Sequence, residues 1–127
     1  MVEKLAKIAV GVDIIEIQRI QKAASNSRGS FLKRIYTSAE LENSNNNSSS
    51  LAALFAAKEA VMKALGTGTK GIGWKEIEVL SNNDGAPTVQ LSGKAANKAR
   101  DIGISQFAVS ISHSKEYAIA MVVGYAG

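Results

Sequence analysis

The chain has 127 residues, of which 46% are hydrophobic, so it is too apolar for a disordered protein and long enough for one domain with a core. It contains no cysteine, which excludes disulfides and thiolate metal sites and favours a cytoplasmic location. No apolar run is long enough to cross a bilayer, so we expect no membrane association. We predict a single domain over residues 1–127.

The net charge of +4 is moderate, but the basic residues are unevenly distributed. Residues 17–38 contain no acidic residue and five basic ones: Arg19, Lys22, Arg28, Lys33 and Arg34. Such a patch favours an acidic partner. The alternative is an ordinary solvated helix face.

The chain begins with a predicted strand over 7–13, followed by helical spacing over 14–24. Asp13 is therefore expected where the strand gives way to the helix. Its face of the strand carries only Ala9 and Gly11, which predicts open space beside the carboxylate. Asp13 could alternatively be the N-cap of the helix. The other face of the strand is apolar, with Ile8, Val10 and Val12.

A short helix is predicted over 31–36, and Thr37 and Glu40 have capping-box spacing for another turn. Residues 43–50, NSNNNSSS, are polar and uncharged, which predicts a flexible surface loop.

The second half predicts a long helix followed by hairpins. Ser50 is the expected N-cap of a helix over 51–65, and a glycine-rich loop follows it. Later elements are strands at 76–80 and 87–91, a helix from Ser92 to about Ile102, and strands at 106–112 and 117–123. The order predicts a small α+β domain, with a mostly antiparallel sheet and a long central helix.

The long helix contains the segment FAAKEAVMKALGTG, which carries three charges in an apolar context. Lys58 falls inside the apolar stripe of the helix, while Glu59 and Lys63 lie four residues apart at its edge. An exposed ion pair explains Glu59 and Lys63, but a lysine in an apolar stripe needs an anion. Gly66 and Gly68 would let a ligand approach closely. The pattern is consistent with a phosphate held together with a metal ion.

Asp13 strengthens the metal hypothesis. An aspartate on a strand and Glu59 on a packed helix could share one Mg²⁺, which takes one or two carboxylates together with phosphate oxygens and water.

The segment VSISHSKEYAIAMVV supplies a further candidate site. A row of serines that includes Ser112 alternates with apolar residues, and His113 is the only histidine. Serine hydroxyls and an imidazole can contact phosphate or ribose. The alternative is a solvated histidine at the end of a strand, with tightly packed serines beside it.

Three segments together resemble the holo-[acyl-carrier-protein] synthases, the small bacterial 4′-phosphopantetheinyl transferases. They are GVDIIEIQRI, FAAKEAVMKALGTG and SISHSKEYAIAMVV, in the family's order and spacing over nearly the whole chain. The pattern FxxKExxxK, formed by Phe55, Lys58, Glu59 and Lys63, is specific when a GxD lies upstream.

This resemblance implies transfer of phosphopantetheine from coenzyme A to a serine of apo-acyl carrier protein, with Mg²⁺, as a step of fatty acid biosynthesis. It implies metal binding by Asp13 and Glu59, and Lys63 beside the pyrophosphate. Lys58, Gly66, Gly68, Ser112 and His113 are then expected to contact the coenzyme. It also implies a homotrimer with sites between subunits, and a first helix carrying Arg19 and Lys22 that docks the carrier.

The chain departs from the family pattern in two places. Leu54 stands where family members often have arginine, and residues 43–50 are uncharged where many have a basic segment. Both differences concern the coenzyme's phosphates, especially the 3′-phosphate, and neither affects Asp13, Glu59 or Lys63.

Two other function classes fit less well. A transferase that uses a nucleoside triphosphate would need a GxxxxGK[ST] loop, which the sequence lacks. A binding module for an acidic protein or an RNA fits the basic helix, but only 6% of residues are aromatic, which argues against base stacking and nucleic acid.

Overall fold

The computed structural model describes residues 7–127, so the first six residues of the predicted domain lie outside the described part. The strands and helices follow one another in the predicted order and form one α+β domain. In sequence order the elements are β1 Ile8–Glu16, α1 Ile17–Asn26, α2 Ser30–Ile35, α3 Ser38–Ser44, α4 Ser48–Leu65, a 3-10 turn Trp74–Glu76, β2 Ile77–Ser81, β3 Pro87–Leu91, α5 Gly93–Asp101, β4 Gln106–His113 and β5 Tyr117–Tyr125.

All strand pairs of the described chain are antiparallel, as predicted. One sheet has the order β1-β5-β4, and the hairpin β2-β3 forms a second, two-stranded sheet. Asp84 and Gly85 lie in the turn of that hairpin, where Gly85 has a φ of 83°. The long helix α4 packs against the three-stranded sheet and also contacts α1 and the hairpin.

The first strand is longer than predicted, which changes the position of Asp13. Strand β1 continues to Glu16 because Ile14 and Ile15 pair with Ile119 and Ala118 of β5. Asp13 therefore lies inside the strand, opposite Ala120, and the predicted strand–helix junction at this residue is wrong. Helix α1 begins three residues later than expected, so Asp13 is not its N-cap.

The polar segment 43–50 contains more helix than the prediction of a loop allowed. Residues 43–44 end α3 and residues 48–50 begin α4, so only 45–47 connect the two helices. The N-cap of α4 is Asn47, whose side chain accepts a hydrogen bond from the backbone N–H of Ser50 at 3.0 Å. Ser50 is therefore not the cap. The flexibility of 43–50 stays a prediction.

Gly11 allows β1 to lie directly on α4. A Cβ placed on Gly11 would come within 1.9 Å of the carbonyl oxygen of Ala60 and 3.0 Å of the amide nitrogen of Ala64. The small face of β1 is thus covered by the alanine-rich side of the helix, and Ala56, Ala57 and Ala60 are fully buried. The open space predicted beside Asp13 is therefore filled by the helix.

The opposite face of the three-stranded sheet is apolar and exposed. It carries large side chains that retain 40–65% of their accessible surface: Ile8, Val10, Val12, Ile14, Tyr117, Ile119 and Met121. The strand register places these residues on one side of the sheet. We call this surface the apolar sheet face. Among residues 7–127 no helix has the length and apolarity needed to span a membrane.

Gly11→Ala should destabilise the protein by about 3 kcal/mol, because the added methyl group forces β1 away from α4. Gly73→Ala is the matched control, since Gly73 has an ordinary φ of −78° and its nearest atoms would lie 3.6 Å from the new Cβ. The control should stay within about 0.5 kcal/mol of the unmodified protein. Urea unfolding of both variants measures this, and equal stabilities would refute the close packing.

Candidate active site

The close contact between β1 and α4 brings three predicted site residues together. Asp13 lies two residues beyond Gly11 on the same face of β1, and Glu59 and Lys63 lie either side of Ala60 in sequence. The Lys63 ammonium donates to Asp13 Oδ1 at 3.1 Å and to the carbonyl oxygen of Val12 at 2.8 Å. Half of the Lys63 side chain is exposed, while only 13% of the Asp13 side chain is. The group is therefore accessible from solvent through the lysine.

The pKa of Glu59 is raised above its ordinary value, because burial disfavours the charged carboxylate and the nearby Asp13 repels it. Lys63 and Arg19 oppose this shift. The shift indicates that Glu59 and Asp13 interact electrostatically. Two carboxylates that repel each other form a site that favours a cation.

The donor set of this site fits Mg²⁺. The described residues contain no cluster of three or more histidine, cysteine, aspartate or glutamate side chains that could hold a metal by themselves. Two carboxylates are nevertheless a sufficient protein contribution for Mg²⁺, which is commonly completed by substrate phosphate oxygens and water. Asp13 and Glu59 thus suit a metal that binds together with a phosphorylated substrate.

Lys58 has a different environment from the one predicted. It is fully buried and forms a 2.8 Å salt bridge with Glu40, which is also fully buried. Its ammonium also donates to the carbonyl oxygens of Trp74 and Ile77. Burial lowers the pKa of Lys58, and Glu40 opposes that shift.

The prediction that Lys58 contacts a coenzyme is therefore wrong for this structure. The apolar stripe did require an anion beside the lysine, but the anion is a protein side chain. Glu40 also accepts hydrogen bonds from the backbone N–H groups of Thr37 and Val79. Its charge thus joins α3 and the hairpin to the long helix.

Glu40 is the residue whose role the sequence reasoning missed. Its capping-box spacing with Thr37 was recognised, and that box is present. That spacing by itself predicts only a local role for Glu40 in the first turn of α3. The unexplained positive charge of Lys58 was the signal that a buried carboxylate had to lie nearby.

Gly66 and Gly68 follow α4, and their conformations explain why glycine occurs there. Gly66 is the C-cap with a φ of 79°, and Gly68 has a φ of 58°. Both lie in the left-handed region that favours glycine. An added Cβ would meet no atom within 4 Å at either position, so the surface is open. Their predicted contact with a coenzyme stays a prediction.

Ser112 and His113 lie at the end of β4 and point to opposite faces of the sheet. Ser112 pairs with Ile119 on the apolar sheet face, while His113 pairs with Ala118 on the side that α4 covers. Both residues are exposed. One ligand bound to a single chain would have difficulty contacting both side chains.

His113 borders a cavity of about 250 Å³ between β4, the hairpin and the start of α4. Its lining contains both polar and apolar residues: Asn43, Ser44, Ser50, Ala53, Leu54, Val79, Ser81, Ile111 and His113. We call this the His113 cavity. Leu54 lies in its wall.

Arg19 and Lys22 are exposed on α1, one turn apart. Arg19 is close enough to Glu59 to lower its pKa, so the basic surface begins at the edge of the carboxylate site. A hydrogen bond from the Ile17 N–H to the Glu116 carbonyl oxygen, at 2.9 Å, fixes the start of α1 to the β4–β5 turn.

Comparison with known proteins identifies the family. A sequence model of the 4'-phosphopantetheinyl transferase superfamily matches residues 9–122. The chain belongs to this superfamily. The match includes β1, α4 and most of β5, the elements that form and support the Asp13–Glu59–Lys63 site.

Two curated relatives of this transferase family member are holo-[acyl-carrier-protein] synthases. The one from Dehalococcoides mccartyi is 53% identical over 113 residues, which cover 89% of this chain and 94% of the relative. The one from Herpetosiphon aurantiacus is 46% identical over 124 residues, with 92% and 98% coverage. A solved structure of Helicobacter pylori holo-[acyl-carrier-protein] synthase in complex with coenzyme A superposes with a TM-score of 0.83 at 35% identity. It covers 91% of this chain and 98% of the other.

Lys58→Met should destabilise the transferase by about 3–5 kcal/mol, because it leaves the buried Glu40 without its partner. Lys63→Met, the same substitution five residues later on the same helix, should cost less than about 1 kcal/mol, since its ion pair is half exposed. Thermal and urea unfolding of the two variants measures the difference. A stable Lys58→Met protein that has lost coenzyme binding would restore the coenzyme role for Lys58.

Proposed function

We propose that this chain transfers the 4′-phosphopantetheine group from coenzyme A to a serine of apo-acyl carrier protein, in an Mg²⁺-dependent reaction. The second product is adenosine 3′,5′-bisphosphate. The observation that carries the proposal is the meeting of Asp13, Glu59 and Lys63 where β1 crosses α4. Membership of the transferase superfamily supports the reaction class. Fatty acid biosynthesis in the cytoplasm is the expected setting.

The reaction requires a hydroxyl group to attack one phosphorus of a negatively charged diphosphate. Asp13 and Glu59 would hold Mg²⁺, which would neutralise the diphosphate and stabilise the charge that develops on the leaving phosphate. Lys63 is the solvent-accessible cation of the site, since its side chain is half exposed and reaches Asp13 from α4. Its ammonium would stabilise phosphate oxygens by a charge-assisted hydrogen bond.

The serine hydroxyl of the carrier must lose a proton during the attack. Glu59 is the candidate base, because it lies at the site where the hydroxyl would attack. A water molecule activated beside Glu59 is the alternative base. The remaining rate enhancement is expected to come from positioning and electrostatics, as in other phosphoryl transfers.

The exposed basic residues of α1 suit an acidic carrier protein. Arg19 lies near the carboxylate site and Lys22 is exposed one turn further along α1, so a carrier that binds there would present its serine to that site. Charge complementarity of this kind mainly accelerates association and is weakened by salt.

The His113 cavity is proposed to hold the nucleotide end of coenzyme A. Its hydroxyl and amide groups can accept and donate hydrogen bonds, and His113 can donate to a phosphate. Leu54 removes a positive charge from this wall relative to many family members. Binding of the coenzyme's 3′-phosphate would therefore depend more on His113 and on neighbouring hydroxyl groups. Ser112, on the other face, would contact the coenzyme only in an assembly.

We also propose a homotrimer with sites between subunits, because Ser112 could contact the coenzyme only in an assembly. The apolar sheet face exposes seven large side chains, and a contiguous surface of this kind is typical of a protein interface. Ser112 lies on this face beside Ile119. Another subunit that covers the face could thus bring Ser112 and a coenzyme into contact.

The two alternative functions remain less consistent with the molecule. A binding module would not need repelling carboxylates and a lysine at one accessible point. A transferase specific for nucleoside triphosphates is disfavoured by the absence of the corresponding phosphate loop from the sequence.

Glu59→Gln should reduce the transfer rate by at least about 100-fold, because it removes one metal-binding charge and the candidate base. Mass spectrometry of apo-acyl carrier protein, incubated with coenzyme A and Mg²⁺, measures the gain of one phosphopantetheine. Glu42→Gln, at an exposed carboxylate of α3, is the matched control and should retain activity. Near-normal turnover by Glu59→Gln would refute the role of this residue.

Val10→Glu should dissociate the assembly, because it places a charge in the apolar sheet face where Val10 is 65% exposed in one chain. Size-exclusion chromatography with light scattering should find a trimer for the unmodified protein and one-chain particles for the variant. Gln90→Glu adds the same carboxylate to exposed β3 and should leave the assembly unchanged. A trimeric Val10→Glu protein would place the subunit interface elsewhere.

A further inference from the structure

The Lys63–Asp13 ion pair creates a competition within the carboxylate site. The ammonium of Lys63 donates to Oδ1 of Asp13 at 3.1 Å, and the carbonyl oxygen of Val12 holds it there at 2.8 Å. Asp13 is the carboxylate assigned to the metal in the proposed function. A divalent cation and this ammonium would thus compete for the same oxygen atom.

The exposure of the two side chains determines which of them can move. The Asp13 side chain is 13% exposed and belongs to a strand that is paired along its length with β5. The Lys63 side chain is 52% exposed and lies in the last turn of α4, next to the glycines that end the helix. Lysine has four rotatable bonds and keeps its charge in water, so it can leave Asp13 while the carboxylate stays in place.

We propose that Lys63 is an exchangeable counter-ion of Asp13 that couples metal binding to coenzyme binding. When the protein carries neither ligand, the ammonium balances the two carboxylates and opposes the entry of a divalent cation. The coenzyme's diphosphate offers the ammonium an alternative partner, so its arrival frees Asp13 for the metal. This inference rests on the proposed function, because it assumes that Asp13 and Glu59 are the metal ligands.

Removal of a residue that supports catalysis usually weakens the binding of a ligand, but removal of Lys63 should strengthen the binding of metal. Lys63→Met removes the competitor, so the variant should bind a divalent cation more tightly than the unmodified protein does in the absence of coenzyme. Since the exchange links the two ligands, the variant should also gain less metal affinity when coenzyme A is added. A lysine that only touched the phosphate would not change the affinity for metal alone by direct contact.

Loss of any nearby positive charge also strengthens cation binding, so the control must share this long-range effect. Arg19 is suitable, because it too lowers the pKa of Glu59 but makes no salt bridge in the described part of the chain. Arg19→Met therefore removes a positive charge that acts on Glu59, without removing a direct contact with Asp13.

The experiment titrates Mn²⁺ alone into the full chain and its variants at fixed ionic strength, with free Mn²⁺ measured by electron paramagnetic resonance. We expect Lys63→Met to bind Mn²⁺ at least about threefold more tightly than both the unmodified protein and Arg19→Met. A repeat with coenzyme A should raise the Mn²⁺ affinity of the unmodified protein more than that of Lys63→Met. Equal affinities without coenzyme, or equal gains with it, would overturn the exchange.

A further variant separates this inference from the proposed function. Asp13→Asn in the Lys63→Met background should remove the strengthened Mn²⁺ binding. If binding persists in that double variant, the metal ligands themselves have been wrongly assigned and the proposed site fails. If binding is lost in the double variant, but Lys63→Met binds no more tightly than Arg19→Met, the exchange alone is refuted.

Discussion

The contact between the backbone of β1 and the backbone of α4 is the constraint on which the site depends. Gly11 lacks the Cβ that would collide with the Ala60 carbonyl oxygen. The alanine side chains of α4 are small, so they allow the strand to pack closely against the helix. Asp13 and Lys63 can form an ion pair across this contact because the strand and the helix are so close. A larger residue in place of Gly11 or Ala60 would move Asp13 of the strand away from the charged side chains of the helix.

Helix α4 carries two lysines whose roles differ because they lie on different sides of it. Lys58 and Lys63 are five residues apart, which separates them by about 140° around the helix. Lys58 points into the protein, where Glu40 and two carbonyl oxygens surround it. Lys63 reaches the solvent-accessible edge beside Asp13. One helix therefore contributes a structural ion pair to the core and an exposed cation to the site.

Much of the architecture could be predicted from local patterns. The element order, the hairpin of β2 and β3, and the capping box of Thr37 and Glu40 are all present. The spacing of Glu59 and Lys63 also indicated a shared helix edge. These features depend on residues close in sequence, which is why periodicity and turn chemistry were sufficient.

The errors concern contacts between distant segments. Strand β1 extends to Glu16 because β5 supplies pairing partners more than 100 residues away, as in the Glu16–Tyr117 pair. The helical spacing of residues 14–24 could not reveal this. Similarly, Lys58 was assigned to a ligand because its partner Glu40 lies on another helix. The small face of β1, where open space was predicted beside Asp13, packs against α4, and the large residues on its other face remain exposed.

The central claim is that Asp13 and Glu59 share one divalent cation together with a coenzyme diphosphate. A crystal grown with coenzyme A and Mn²⁺ tests it most directly, through the anomalous scattering of the metal. If the two carboxylates share the metal, one strong peak is expected within coordination distance of both, at about 2.0–2.2 Å, with a diphosphate oxygen as a further ligand. A metal bound to the diphosphate but remote from either carboxylate would contradict the account.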